Sequence, residues 1–226
     1  MMKSLILIAI TIIAGAMAMS IKTDDDSCPF PSQLKPKYDF SWKSKSGEWQ
    51  NLTATTAYMM LALSWSPTYC ATLSQANRDK EFQCMPSNGF GLIVHGLWPQ
   101  AAKAPNVRAH PRNCRDEAQL NATFVKRFFC IMPSEDLMQG EWEKHGTCYY
   151  NQPMDYYVIT EKIYQALRIP TNNVMTSSSA VVIKDAFLTL NSPALFASAV
   201  QIDMSGSKLK EVKICYDLQF RYASCT

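Results

Sequence analysis

Eight cysteines following an apolar leader constrain this 226-residue chain more than any other feature. Lys3 is the only charge before Lys22, residues 5–18 are apolar or small, and Ala16-Met17-Ala18 has the form of a small-residue cleavage site. A short basic start, an apolar stretch and a small-residue end predict a secretory signal peptide over residues 1–18. The run falls short of the roughly 20 apolar residues that span a bilayer, and Asp24 to Asp26 follow it closely. No later stretch is apolar enough to span. The remainder, residues 19–226, is therefore expected to be secreted or periplasmic, with no stable membrane association. All eight cysteines (Cys28, Cys70, Cys84, Cys114, Cys130, Cys148, Cys215 and Cys225) lie in that part. An even number in an exported chain predicts disulfides, although spacing alone leaves their connectivity open. No C-x-x-C occurs, which argues against a zinc site.

The length after the leader fits one domain with a substantial core. Formal net charge is only +3, and Lys3 leaves with the leader. Such a chain does not coat nucleic acid through its global field, so any phosphate contact must come from a local cluster. Asn51-Leu52-Thr53 and Asn121-Ala122-Thr123 are glycosylation sequons, relevant in a eukaryotic secretory pathway.

Residues 19–56 are polar, rich in lysine and proline, and without a period. "AYMMLALSW" (57–65) reads as a buried central strand ending at Ser66-Pro67. A polar loop is expected over 66–88, between Cys70 and Cys84. "GFGLIVHGLWPQ" (89–100) reads as a second strand, with Leu92 and Val94 on one face and Ile93 and His95 on the other. Helical spacing over 116–132 brings Leu120, Phe124, Phe128 and Ile131 together. Ser134 is a suitable N-cap for a helix running to about His145, with Gly146 as its stop. Residues 153–169 form an amphipathic pattern with Tyr156, Ile159, Ile163, Ala166 and Leu167 on one side. A further helix is expected over 179–190. Alternating segments on either side of Ser205-Gly206-Ser207 read as paired strands. The sum is an α+β domain with antiparallel strands.

Only three histidines are present, and two sit in unusual company. In "QGEWEKHGTC" (139–148), Glu141, Lys144 and His145 fall at i, i+3 and i+4, which stacks them on one helical face. A carboxylate favours a charged imidazole and an ammonium disfavours it, so such a histidine sits near its working range. The spacing equally fits a solvated helix end with a routine Glu–Lys pair. His95 lies near the end of an apolar strand beside Gly96, where a side chain can approach the backbone. Alone, it also fits a hydrogen-bonded core histidine. Trp98 fits either the core or a platform on which a base stacks.

Taken together, "GLIVHGLWPQ" and "EWEKHGTC" resemble the two blocks of the ribonuclease T2 family of exported acid endoribonucleases, HGLWP and (H)EWxKHGTC. "LALSWSPTYC" (61–70) and "VKICYD" (212–217) are similar to that family's first core strand and C-terminal strand. The resemblance implies one T2-like domain over 19–226, with a central antiparallel sheet, flanking helices and disulfide braces. It implies endonucleolytic cleavage of single-stranded RNA through a 2′,3′-cyclic phosphate to 3′-phosphate ends. His145 is then the general base and His95 the general acid, while Glu141 and Lys144 stabilise the pentacoordinate phosphate. Trp98 stacks on a base, and Gln100 lines the base site. No metal or cofactor is implied, a monomer is expected, and DNA, lacking the 2′-OH, is not cleaved. The family's pairing of the second-block cysteine implies Cys114–Cys148. Cys70–Cys84 and Cys215–Cys225 are expected beside it, and Cys28–Cys130 remains.

One position departs from the family pattern. Many members carry a histidine immediately before the second-block glutamate, where this chain has Gly140, so a phosphate contact is missing or comes from elsewhere. His110 is the spare histidine and is expected in a surface loop. Two other functions compete: a secreted interaction protein or cytotoxin that uses the same fold for binding, and a metal-dependent hydrolase. The latter suffers from having few histidines and no ligand-spaced cluster. Cys148 near His145 suggests a thiol nucleophile, but a disulfide suits an exported chain better.

Overall fold

A computed structural model describes residues 28–225; the leader expected over residues 1–18 lies outside the described residues. The fold is α+β, built on a four-stranded antiparallel sheet in the order β2-β1-β4-β3. Its strands are β1 (Tyr58–Trp65), β2 (Leu92–Gln100), β3 (Val200–Ser205) and β4 (Lys208–Tyr216). Helices are α1 (Ser66–Thr72), α2 (Gln75–Arg78), α3 (Ala122–Phe128), α4 (Glu135–Lys144), α5 (Pro153–Ala166), α6 (Asn172–Met175) and α7 (Ala180–Leu190). Among the described residues no helix is long and apolar enough to cross a membrane.

β1 is apolar apart from Ser64 because both its faces are covered. Met59, Leu61, Leu63 and Trp65 enter the main core with Leu97, Val212 and Ile214. Tyr58 and Met60 face the other way, with Cys215 and Trp98. This second face of the sheet holds the site. β2 is an edge strand whose outer backbone is occupied: Val94 N–H donates to the Ile131 carbonyl at 2.8 Å and Leu97 N–H to the Tyr156 hydroxyl at 2.9 Å. Such covering removes an edge that would otherwise pair with another chain.

β2 also carries an irregularity absent from the simple alternation. Leu63 pairs with Val94 and Ala62 with Gly96, so His95 is skipped. The bulge resets the alternation, which is how both Val94 and Leu97 reach the main core. A bulge re-aims the residue it carries.

Several sequence expectations need correction. The loop expected over 66–88 contains α1 and α2, the former opened by Pro67 in its first turn. The helix expected over 116–132 is helical only over Ala122–Phe128, capped by Asn121, whose side chain accepts from Phe124 N–H at 2.9 Å. The residues before it are not helical, and Leu120 N–H is taken by the Gln139 side chain and the Leu120 carbonyl by the Tyr38 hydroxyl. Ala166, expected on the buried side of α5, is exposed, and Tyr157 and Thr160 are buried instead. Gly146 is not a left-handed stop: a 3-10 turn, Gly146–Cys148, follows α4 directly. Its missing side chain serves packing, since a Cβ there would lie 2.4 Å from the Trp142 ring.

Four disulfides close the structure: Cys28–Cys130, Cys70–Cys84, Cys114–Cys148 and Cys215–Cys225. The irregular segment over residues 28–56 wraps the molecule. Cys28 ties it near α3, Lys35 pairs with Asp136 on α4, and Asn51 exchanges backbone hydrogen bonds with Arg112.

Candidate active site

α4 brings three of the expected residues together. Ser134 caps it, accepting from Leu137 N–H, and Glu135 and Asp136 occupy its first turn, which suits the positive end of the helix dipole. Met138 and Trp142 face the main core. The opposite side presents Glu141 and Lys144, and His145 follows as the C-cap residue. Cys114–Cys148 braces this end of the helix against the loop after β2.

Glu141 is buried and is the hub of the site. Its Oε2 accepts from Trp98 Nε1 at 2.7 Å and lies 3.8 Å from His145 Nε2. Its Oε1 lies 3.5 Å from Lys144 Nζ and 3.7 Å from His95 Nε2. This approach requires Gly96, where a Cβ would stand 2.2 Å from Oε2. Burial alone would push the Glu141 carboxyl up, but His145, His95, Lys144 and the Trp98 hydrogen bond together hold it down at about 2. It is a fixed negative charge across the ordinary pH range.

The two histidines are driven in opposite directions. His95, aimed by the bulge, places Nδ1 2.6 Å from Glu211 Oε1. Glu211 stands on β4, beyond β1, where it pairs with Ser64. Burial opposes charge on His95, yet Glu141 and Glu211 outweigh it, and its pKa is raised. His145 is buried, and burial with the Arg112, Lys144 and His95 charges outweighs Glu141, bringing it down to about 3. Its Nε2 lies 3.1 Å from Arg112 NH1. Arginine has no lone pair to offer, so it donates and the imidazole accepts.

Trp98 lies between the histidines, with ring centroids 5.1 Å from His95 and 5.4 Å from His145. A cleft of about 320 Å³ opens beside it, lined by Trp49, Trp98, Gln100, His110, Arg112 and His145 among others. Gln100 is buried there, its amide donating to the Pro99 carbonyl at 3.0 Å. His110 lies in a loop, as the sequence suggested, but is half-buried. It lines the cleft, and its Nδ1 accepts from Ala101 N–H at 3.1 Å. Gly140 faces Phe40 and the Lys144 stem, away from this cleft. Among the described residues no three or more histidine, cysteine, aspartate or glutamate side chains are grouped to hold a metal ion.

Sequence reasoning missed Glu48, Trp49, Arg112, Glu211 and Lys213, all at or next to this site. Arg112 had one signal, its place two residues before Cys114. Glu211 and Lys213 share the alternating face of β4, and Lys213 Nζ sits 3.5 Å from Glu211 and 5.7 Å from the Trp98 ring centre. Glu48 and Trp49 lie in a stretch with no period and no motif.

The sequence matches the ribonuclease T2 family over residues 56–225. It is 34% identical over 182 residues to a probable ribonuclease of Haemophilus influenzae, an alignment covering 78% of this chain and 63% of that protein. It is also 34% identical over 129 residues to a ribonuclease of Aeromonas hydrophila, covering 57% of this chain and 54% of the relative. The chain thus spans less than two thirds of either relative. An RNase-related protein from Calystegia sepium has the same fold, with a TM-score of 0.56 at 19% identity over 75% of this chain and 90% of that one. Matched from just before β1 to its last cysteine, the chain belongs to the ribonuclease T2 family.

Proposed function

We propose that this protein is an exported endoribonuclease that cleaves single-stranded RNA by transesterification. RNA carries its own nucleophile, the 2′-OH, next to each phosphate. A base must take that proton and an acid must protonate the departing 5′-oxygen, each contributing roughly 10²- to 10⁴-fold. The observation that carries the reading is geometric: His95 and His145 converge on one buried carboxylate, their Nε2 atoms 3.7 and 3.8 Å from Glu141, and their surroundings push their pKa values apart. Pairs of titratable groups pushed apart mark acid and base. His95, favoured in its protonated form by Glu141 and Glu211, is the acid; His145, kept neutral by burial and nearby cations, is the base.

Lys144 stabilises the phosphoryl oxygens as their charge builds, while the buried Glu141 holds the lysine and both imidazoles in place. Trp98 and Gln100 hold the base. The product is a 2′,3′-cyclic phosphate, opened later to a 3′-phosphate. Residues 19–226 act as one monomeric catalytic domain after removal of 1–18, in the periplasm or outside the cell. DNA is not a substrate. The H. influenzae and A. hydrophila relatives, named as a probable ribonuclease and a ribonuclease, support the class of reaction.

The test is to incubate the purified chain with RNA in excess EDTA at about pH 5 to 7, where imidazoles titrate, and identify the new termini. Cyclic phosphate ends are expected. Cleavage that vanishes with EDTA would overturn the mechanism in favour of a metal-dependent hydrolase. A folded protein that cleaves nothing would leave a binding function. His95→Ala and His145→Ala should each lower kcat roughly 10²-fold or more with unchanged circular dichroism. Near-wild-type turnover in either variant would refute its role.

A further inference from the structure

We propose that Arg112 is a further catalytic residue, whose guanidinium binds a non-bridging oxygen of the scissile phosphate beside His145. The proposal rests on the ribonuclease reading above and extends it to a group outside both histidine blocks.

The guanidinium is held in a way that leaves one edge free for this work. Its Nε and NH2 engage Glu48 Oε2 and Oε1, both at 2.8 Å. That is a two-point fork, the geometry in which arginine is most firmly oriented. Glu48 is itself fixed by the Asn113 amide at 3.2 Å. The Trp49 ring lies 4.5 Å from the guanidinium carbon and covers one face. The backbone is pinned too, because Arg112 and Asn51 exchange N–H···O bonds of 3.2 and 3.0 Å. NH1 alone points away from this clamp, toward His145 Nε2 at the cleft.

A donor in that position has two consequences. It meets any group that the Nε2 lone pair meets, because the two atoms are 3.1 Å apart. A 2′-OH within reach of the base therefore brings its neighbouring phosphate within reach of NH1. When a phosphate oxygen takes NH1, the imidazole lone pair is released to accept the 2′-OH proton. The charge environment fits an incoming anion. The groups facing His145 are Glu141 and Lys144 from α4, His95 from β2 and Arg112 from the loop before α3, with Glu48 behind Arg112. Lys144 is already shared with Glu141 and lies 5.1 Å from the Phe40 ring centre. Arg112 is the cation in direct contact with the base. Its two anchors, Glu48 and Trp49, precede residue 56, where the family match begins.

The experiment compares wild type, Arg112→Met, Arg112→Lys and Glu48→Gln on an RNA dinucleotide across about pH 4 to 9. Thermal unfolding of each is followed in parallel. Removing one oriented donor from a developing oxyanion costs roughly 10²- to 10³-fold in kcat, and Arg112→Met should fall in that range. Its acid limb should move to higher pH, because a cation that opposes protonation of His145 is gone. Arg112→Lys should keep the charge, and much of that limb, but lose at least about tenfold in kcat, since one ammonium cannot grip Glu48 and phosphate together. Glu48→Gln should lose less than either. If wild type cleaves RNA while Arg112→Met and Arg112→Lys stay within about threefold in kcat with unmoved limbs, Arg112 is only a strut and the proposal falls while the ribonuclease reading stands. If Arg112→Met does not fold, Arg112→Lys alone decides by the same threshold. A wild-type protein that cleaves no RNA overturns both.

Discussion

Glu141 touches four side chains at once, and each contact has a different use. Trp98 fixes the carboxylate's orientation, Lys144 and His145 share its helix face, and His95 arrives from the sheet. The carboxylate is common to both imidazoles, so it cannot by itself separate them. Separation comes from their surroundings: burial, with Arg112 and Lys144, drives His145 down, while Glu211 adds to Glu141 in raising His95. Glu211→Gln tests this. The amide can still accept from Nδ1–H, so the ring stays in place, but the negative charge is lost. As the proposed acid, His95 would work protonated, so its raised pKa would extend activity upward in pH. The basic limb of the pH profile should therefore move down by about 1 unit, with kcat on the acid side little changed. A limb that stays fixed would show that Glu211 only packs against the ring. The resemblance implied which histidine is acid and which base, but the groups that separate them were not legible in the sequence. His95, Lys144 and His145 were visible as chemical groups, but Glu211 is brought in from a strand more than a hundred residues away.

α4 and β2 form the element pair that assembles the site, and two glycines make it possible. Gly96 leaves room for Glu141, and Gly146 lets the turn after α4 close on Trp142 and Tyr156. Gly146→Ala would force a methyl into ring atoms at 2.4 and 2.9 Å. Overpacking of this kind costs about 1–3 kcal/mol, to be read as a lowered urea midpoint at unchanged slope. An unchanged midpoint would mean that the turn relaxes freely. β1, β4 and the helices α4, α5 and α7 could be read from the sequence because their periods and caps are local. The bulge at His95 could not, because it shows only in the register with β1. The overlong reading of α3 failed for a related reason: Leu120 fits the helical spacing, but Gln139 and Tyr38 claim its backbone.

At the scale of the molecule, buried titratable groups set opposing demands on stability. Glu143, on the buried side of α4, accepts from Gln139 at 2.6 Å, and burial pushes its carboxyl up to about 7. The folded state thus holds a proton that the unfolded chain releases earlier. That contribution is complete below about pH 4.5, the ordinary glutamate range, and is lost as pH rises through about 7. His145 acts the other way: its contribution is present above its ordinary pKa and is lost as pH falls through about 3. Glu143→Gln keeps the acceptor for Gln139 and removes the titration. Its melting temperature should match wild type at about pH 4 and exceed it by about 2 °C or more at pH 8. Equal melting at both pH values would show Glu143 ionised without penalty. The wrapped N-terminal segment was legible only as polar and irregular, yet it supplies Glu48 and Trp49 through contacts with no local signature. The order of the cysteines along the chain carries a further consequence. Cys28–Cys130 and Cys114–Cys148 interlock, since Cys114 falls inside the first loop and Cys148 outside it. A chain crossing a membrane from its N-terminus presents Cys28, then Cys70, long before Cys130. Oxidation in order of emergence therefore joins the wrong partners. If the chain is exported as proposed, its production would depend on reshuffling by thiol exchange, and a host that oxidises quickly but isomerises slowly would accumulate misbridged chains.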